Sequence, residues 1–223
     1  MSIWRKAREP FVQEYEGCVV DGALHWRAAQ FLSLDFEATG LDLRRDDVIS
    51  FGAVPIAGGR MLVGGQAHSL MQPTQLVPAD SSKIHRIRNL DLADAPTAAQ
   101  ATAQLVRMLT GRALVAHAAW VEAAYLKRLL ALHNTRLVSP IVDTAALARA
   151  LDLAPCINAH EPHLETLAAS LGVPVHDPHH ALGDALTTAQ VFLVLVSRLE
   201  LRHGPLTVEA LQQISRLHAL LRP

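Results

Sequence analysis

Asp35 and Glu37 stand two residues apart at the end of a short apolar run, residues 29–35, that reads as a buried strand. Side chains two apart on a strand leave the same face, so both carboxylates project together while Leu34 and Phe36 point the other way. Like charges held that close repel, and burial adds a desolvation penalty. Such a pair is protonated, solvated or neutralised by a cation. A hard divalent cation, which prefers oxygen ligands, suits two carboxylates. The plain alternative is a strand that has ended, with both acids in water.

Two further segments bear on that choice. Glu122 falls in a helical stretch, residues 119–132, four and seven positions before Leu126 and Leu129, on or beside the stripe that should face the core. Taken alone, it is an acid in a first helical turn, where it complements the helix dipole. The other segment is His179-His180-Ala181-Leu182-Gly183-Asp184, preceded by Asp177-Pro178, which reads as a capping residue and an N1 proline opening a helix. Asp184 then falls early in a long helix, and His179 brings an imidazole able to exchange protons near neutral pH. A zinc reading of His176, Asp177, His179 and His180 suffers from crowding, because donors so close in sequence give poor tetrahedral geometry without distant partners.

The elements that must position these groups alternate along the chain. Residues 48–56 and 61–71 flank Ala57-Gly58-Gly59-Arg60, a turn that predicts an antiparallel hairpin. After a loop over residues 73–96, a helix is expected at 97–110 with Gly111 ending it, a strand at 113–116, the helix at 119–132, and a brief strand at 140–142. Helices follow at 143–151, at 164–171 before Gly172 and Pro174, and at 181–199 with Leu182, Leu186, Ala189 and Leu193 as its stripe. A strand trio followed by alternating helices and strands predicts an α/β layer fold with a mixed sheet. Residues 1–28, with Trp4, Phe11, Tyr15 and Trp26, read as an N-terminal packing extension to a main domain at 29–200, and residues 201–223 as a C-terminal helical one.

Composition narrows the class. Of 223 residues 50% are hydrophobic and 18% charged, which excludes disorder as the main state. The 20 Lys and Arg against 21 Asp and Glu leave a formal charge of -1, which argues against gripping long nucleic acid through many phosphates but not against holding a short end. Cys18 and Cys156 make no disulfide framework, no apolar run approaches the roughly 18 residues of a membrane span, and the start lacks the apolar block of a secretory signal. A reducing, cytoplasmic compartment is expected.

The string Asp35-Phe36-Glu37-Ala38-Thr39-Gly40 resembles the first motif of the DEDD superfamily of exonucleases, Asp-x-Glu-x-Thr-Gly at the end of the first strand. His179 and Asp184, with four residues between, are similar to the third motif of the histidine-type branch (DEDDh), which includes the proofreading epsilon subunit of bacterial DNA polymerase III, oligoribonuclease and ribonuclease T. The resemblance covers roughly residues 30–199. The middle motif departs: where the family has His-Asn-x-x-Phe-Asp, this chain has His117-Ala118-Ala119-Trp120-Val121-Glu122, with the asparagine lost and Glu in place of Asp. Ile84-His85, with Ala95-Pro96 further on, resembles the segment whose histidine approaches the terminal nucleotide, and Asp143-Thr144 is family-like and structural.

The resemblance implies a ribonuclease-H-like three-layer fold around a five-stranded mixed sheet with strand two antiparallel. It places Asp35 and Glu37 on the central strand facing Glu122 and Asp184 from two helices. Those four acids would hold two divalent cations, Mg²⁺ or Mn²⁺, with His179 as general base and Asp35, Glu37, Glu122, His179 and Asp184 as the catalytic set. Phe36, Thr39, Gly40, Leu41 and His85 would hold the terminal nucleotide. The implied activity is 3′-to-5′ hydrolysis of single-stranded DNA to nucleoside monophosphates, in proofreading or repair, with a DNA polymerase subunit as a partner and no membrane. An exonuclease of RNA or oligoribonucleotides, or a catalytically weak module that binds a polymerase or nucleic acid, are the other readings.

Overall fold

A computed structural model describes residues 8–154 and 161–219. The readings that touch Trp4 and Cys156, and the outer ends of both terminal extensions, lie outside those residues. Helix α1 (Pro10–Gly17) precedes the central strand β1 (Gln30–Ala38), which runs further than its apolar stretch and carries both acids within it. Strand β2 (Val48–Ala57) turns through Gly58 and Gly59, both at positive φ, into the two-residue strand β3 (Arg60–Met61). The third strand is therefore not continuous over 61–71. A 3-10 turn at Val63–Gly65 interrupts it, and pairing resumes in β4 (Ala67–Leu70), so among the described residues the sheet has six strands rather than five.

Helix α2 (Ala79–His85) and a 3-10 turn at Asn89–Leu92 occupy the stretch expected as loop; their few buried side chains gave no helical stripe to read. Helix α3 (Ala98–Leu109) starts at a capping box in which Thr97 and Gln100 satisfy each other's backbone amides. Then come β5 (Ala113–Ala116), α4 (Trp120–Ala131), β6 (Ile141–Asp143) and α5 (Thr144–Ala150), which Asp143 caps by accepting from the Ala145 amide. Helices α6 (Leu164–Leu171), α7 (Ala181–His203) and α8 (Val208–Ala219) are the last elements of the described residues.

The sheet order is β3-β2-β1-β5-β6, with β4 also on β2; β1 is antiparallel to β2 and parallel to β5, which is parallel to β6. Period-two alternation sorts the two layers of helices. Phe31, Val54 and Ile56 face α5, α6, α7 and α8, whereas Leu32, Leu34, Phe51 and Ala53 face α1, α3 and α4. Within the first layer Phe192 of α7 lies 5.0 Å from Phe31 and 6.4 Å from Trp26, ring to ring. The Trp26 indole, His25 and Arg27 all reach Glu200, fastening the segment before β1 to the far end of α7.

Two sequence expectations about α7 are corrected. Asp177-Pro178 does not open it: Asp177 and His179 both sit at positive φ, and the helix starts at Ala181 with His180 in the cap position. Its buried stripe is also rotated from Leu182, Leu186 and Leu193. Ala181, Ala185, Thr188, Phe192, Leu195 and Leu199 are buried instead, because small residues let the first two turns lie directly on the sheet. By length and composition α7 is apolar enough to cross a membrane. Here that apolar face lies in the core.

Candidate active site

The site forms at the end of β1, past the carboxyl end of its parallel neighbour β5. Ser33, Asp35 and Glu37 leave one face of β1, as the alternation requires, and Ser33 Oγ donates to the Ala185 carbonyl at 2.8 Å. That bond pins the first turn of α7 against β1. The opposing β2 residue, Gly52, pairs with Asp35, and a Cβ there would lie 2.2 Å from the carbonyl carbon of Ala181. Only glycine lets α7 approach this closely. A register shift between Glu37 and Ala38 then interrupts the regular pairing with β2 just past the acids.

Asp184, in the first turn of α7, is thereby carried over β1. Asp35, Glu37 and Asp184 each offer a carboxylate oxygen within 4.8 Å of the other two. Among the described residues this is the group able to hold a metal ion, and His176, Asp177, His179 and His180 form no such group. Glu122 is buried on the first turn of α4, on the same stripe as Leu126 and Leu129, and stands outside that trio of oxygens.

The acids share an electrostatic problem. Burial, then the charges of Glu122, Asp184 and Glu37, push the Asp35 carboxyl well above its ordinary range. Burial and the Asp184 charge raise Glu37 to about 7. Burial takes Glu122 to about 8, with Asp143 and Glu37 adding to it. Burial also raises Asp184 to about 6, against hydrogen bonding from His179. Among the described residues, one oxygen of Glu122 and Oδ1 of Asp184 are buried without a hydrogen-bond partner. Orphaned oxygens on like-charged carboxyls are what a divalent cation satisfies, so the donor set fits oxygen-loving ions of the Mg²⁺ or Mn²⁺ type.

His179 is exposed, its backbone amide donates to Asp184 Oδ2 at 3.0 Å, and its Nε2 lies 3.9 Å from Glu165 Oε1. Its φ of 60° is a left-handed conformation that costs a non-glycine residue roughly 1–2 kcal/mol. His179 also lines a cavity of about 230 Å³, together with His180, His68, His85 and Arg86. His85 is buried and its Nδ1 accepts from the Ile87 amide, which leaves Nε2 carrying the proton of the neutral ring, buried and without a partner.

In the turn after the acids Leu41 is 88% exposed, and Asp42, Arg44 and Arg45 are exposed too. Thr39 is buried, and its hydroxyl donates to Asp46 and accepts from the Asp47 amide, so it orders the turn. Tyr125 donates to the Gly40 carbonyl at 2.7 Å, tying that turn to the helix that carries Glu122. Phe36 packs into the second core. In the middle motif, His117 contacts Thr144 Oγ1 and the Pro162 carbonyl, and Ala118 adopts φ 51°, a backbone that asparagine tolerates better than alanine.

Sequence reading missed Ser33, Gly52 and His68. Ser33 was within reach, since period two puts it on the face of Asp35. Gly52 and His68 depend on strand register, which the sequence alone leaves open.

Residues 32–192 match the family described as Exonuclease (RNase_T), and the chain belongs to that family. It is 31% identical over 183 residues to the DNA polymerase III subunit epsilon of Treponema pallidum, covering 82% of this chain and 83% of that one. An epsilon-like protein of Rhodobacter capsulatus is 32% identical over 195 residues, spanning 86% of this chain but 27% of the relative. A PolC-type DNA polymerase III of Thermotoga maritima is 32% identical over 176 residues, 77% of this chain and 12% of the relative. The chain thus spans about a quarter or less of those two longer proteins. In fold it is similar to exonuclease X solved with 5′-overhanging duplex DNA (TM-score 0.63, 21% identity, 83% of this chain and 99% of that one). E. coli exonuclease I with a dT13 oligonucleotide is similar too (TM-score 0.65, 17% identity, 78% and 42%). The ribonuclease-H-like expectation thus holds, with the extra strand noted above.

Proposed function

We propose that this chain is a metal-dependent 3′-to-5′ exonuclease that hydrolyses the terminal phosphodiester of single-stranded DNA and releases nucleoside monophosphates. The observation that carries the reading is the meeting of Asp35, Glu37 and Asp184 from β1 and α7, with partnerless oxygens on Asp184 and nearby Glu122. Those four carboxylates would hold two divalent cations. When bound, such ions lower the pKa of a water and stabilise charge on the leaving oxygen.

The chain's own residues do the rest. His179 accepts the proton of the attacking water, and its exposure lets it reach substrate at the cavity mouth. Glu165 Oε1 stands 3.9 Å from its Nε2. His85 Nε2 donates into the cavity, where a phosphate or base oxygen of the terminal nucleotide would accept. Leu41 offers an apolar edge to a base, Phe36 backs it, and Thr39 and Gly40 present the turn that receives the nucleotide.

DNA is favoured over RNA by the relatives, which include DNA polymerase III subunits, and by the DNA in the neighbouring structures. The same relatives support a polymerase subunit as partner; with that reading go a cytoplasmic setting, residues 29–200 as the exonuclease unit, and 1–28 and 201–223 as extensions. Side-by-side digestion of 5′-labelled DNA and RNA single strands in Mg²⁺ tests the reading. A ladder shortening from the 3′ end of DNA is expected; preferred digestion of RNA moves the assignment to an oligoribonuclease, and no digestion leaves a binding module.

A further inference from the structure

We propose that His68 is a positioning residue, holding the segment that presents His179 by stacking on His180. The inference rests on the reading of His179 given above. The ring centroids of His68 and His180 are 4.6 Å apart with planes 32° from parallel. On its other side His68 Nε2 lies 3.0 Å from Oγ of Ser50, a buried residue of β2. The imidazole therefore bridges the sheet and the residue between His179 and α7.

Strand register explains why His68 can do this. It pairs with Gly52, the same residue on which Ala181 rests. The segment also needs holding. Asp177 and His179 both have left-handed backbones, which persist only where the surroundings over-determine them. The His179 amide is tied to Asp184, and Arg86 pairs with Asp177 at 3.4 Å on the exposed rim. The stack adds a grip on the side chain next to His179. Strand β4 joins the sheet through β2, and His68 belongs to none of the hydrophobic cores, so its removal leaves the fold standing.

The test uses the full chain with His68→Ala, His68→Phe and His179→Ala. In metal-free protein, amide hydrogen exchange at Asp177, His179 and His180 should speed up at least about tenfold in His68→Ala and return close to wild type in His68→Phe, which keeps a stacking ring. On a labelled single strand, kcat of His68→Ala should fall about 10–100-fold, the range seen for supporting residues around metal sites, with KM within about twofold. Adding His68→Ala to His179→Ala should cost no further activity. Unchanged exchange, no rescue by Phe, or losses that multiply in the double variant would overturn the proposal. A wild-type protein that cleaves no strand in Mg²⁺ or Mn²⁺ removes the nuclease reading instead, and exchange alone then decides whether His68 holds the segment.

Discussion

The backbone amide of His179 donates to Asp184 Oδ2 at 3.0 Å, so one carboxylate joins the acid cluster and also anchors the loop that carries the imidazole. Its Oδ1 stays buried and unpartnered. Anchoring and charge can be separated, because asparagine keeps an oxygen acceptor and loses the charge.

Asp184→Asn and Asp184→Ala should each lower hydrolysis by more than about a hundredfold, beyond the 10–100-fold typical of outer-shell partners of metal sites. Without metal at neutral pH the Asn variant should melt at or above the wild type, because a half-buried carboxyl raised to about 6 by burial is ionised there at a cost. Calorimetry and a labelled-strand assay on the same preparations check both. Near-wild-type turnover in either variant contradicts the site.

Stability should depend on pH with a definite sign. Burial raises Glu37 to about 7, Glu122 to about 8 and Asp184 to about 6, all above the roughly 4 of an unfolded carboxyl. Between those limits the folded state keeps protons that the unfolded state has released. The contribution is fully present below about pH 4 and is lost as pH rises through 6 to 8. In EDTA, melting should fall by several degrees from pH 5.5 to 8, at about 2–4 °C per kcal/mol for a chain this size. Excess Mg²⁺ should restore it most at pH 8, and Asp35→Asn should flatten the dependence. A melting temperature in EDTA that climbs over this range argues against the buried cluster.

His179→Ala should slow turnover by about 10²–10⁴-fold, the usual contribution of a general base, and remove its limb from the pH–rate profile. Metal affinity should change little, since the tether to Asp184 is made by the backbone. A profile identical to the wild type's excludes the imidazole from proton transfer.

Gly52→Ala tests how the site is assembled. The added Cβ would meet the carbonyl group of Ala181 at 2.2 Å, so α7 must lift from the sheet. Overpacking of this kind costs about 1–3 kcal/mol or more. Calorimetric metal titration should show weaker binding than the stability loss alone explains, because Asp184 moves with the helix. Tight binding with an unchanged melting point would mean that the contact is slack.

What was legible followed from local chemistry. Strand alternation put Asp35 and Glu37 on one face, and helical spacing put Glu122 on the buried stripe with Leu126 and Leu129. The strand at Ala113–Ala116 and the helix at Leu164–Leu171 coincide with their apolar runs and glycine stop. The helix expected from residue 181 does start at Ala181, but the Asp177-Pro178 opening fails, because His176, Asp177 and His179 are drawn into tertiary bonds with Gln190, Arg86 and Asp184. Likewise β4 cannot be told from a continuation of β3 without seeing the 3-10 turn at Val63–Gly65. Local pattern reaches each element, while register and long-range bonds decide how elements meet.

Anomalous diffraction from crystals grown in Mn²⁺ tests the central claim most directly. The account predicts manganese bound by Asp35, Glu37 and Asp184, with Glu122 turned toward a second ion. Well-ordered crystals with no manganese among these four carboxylates would contradict it.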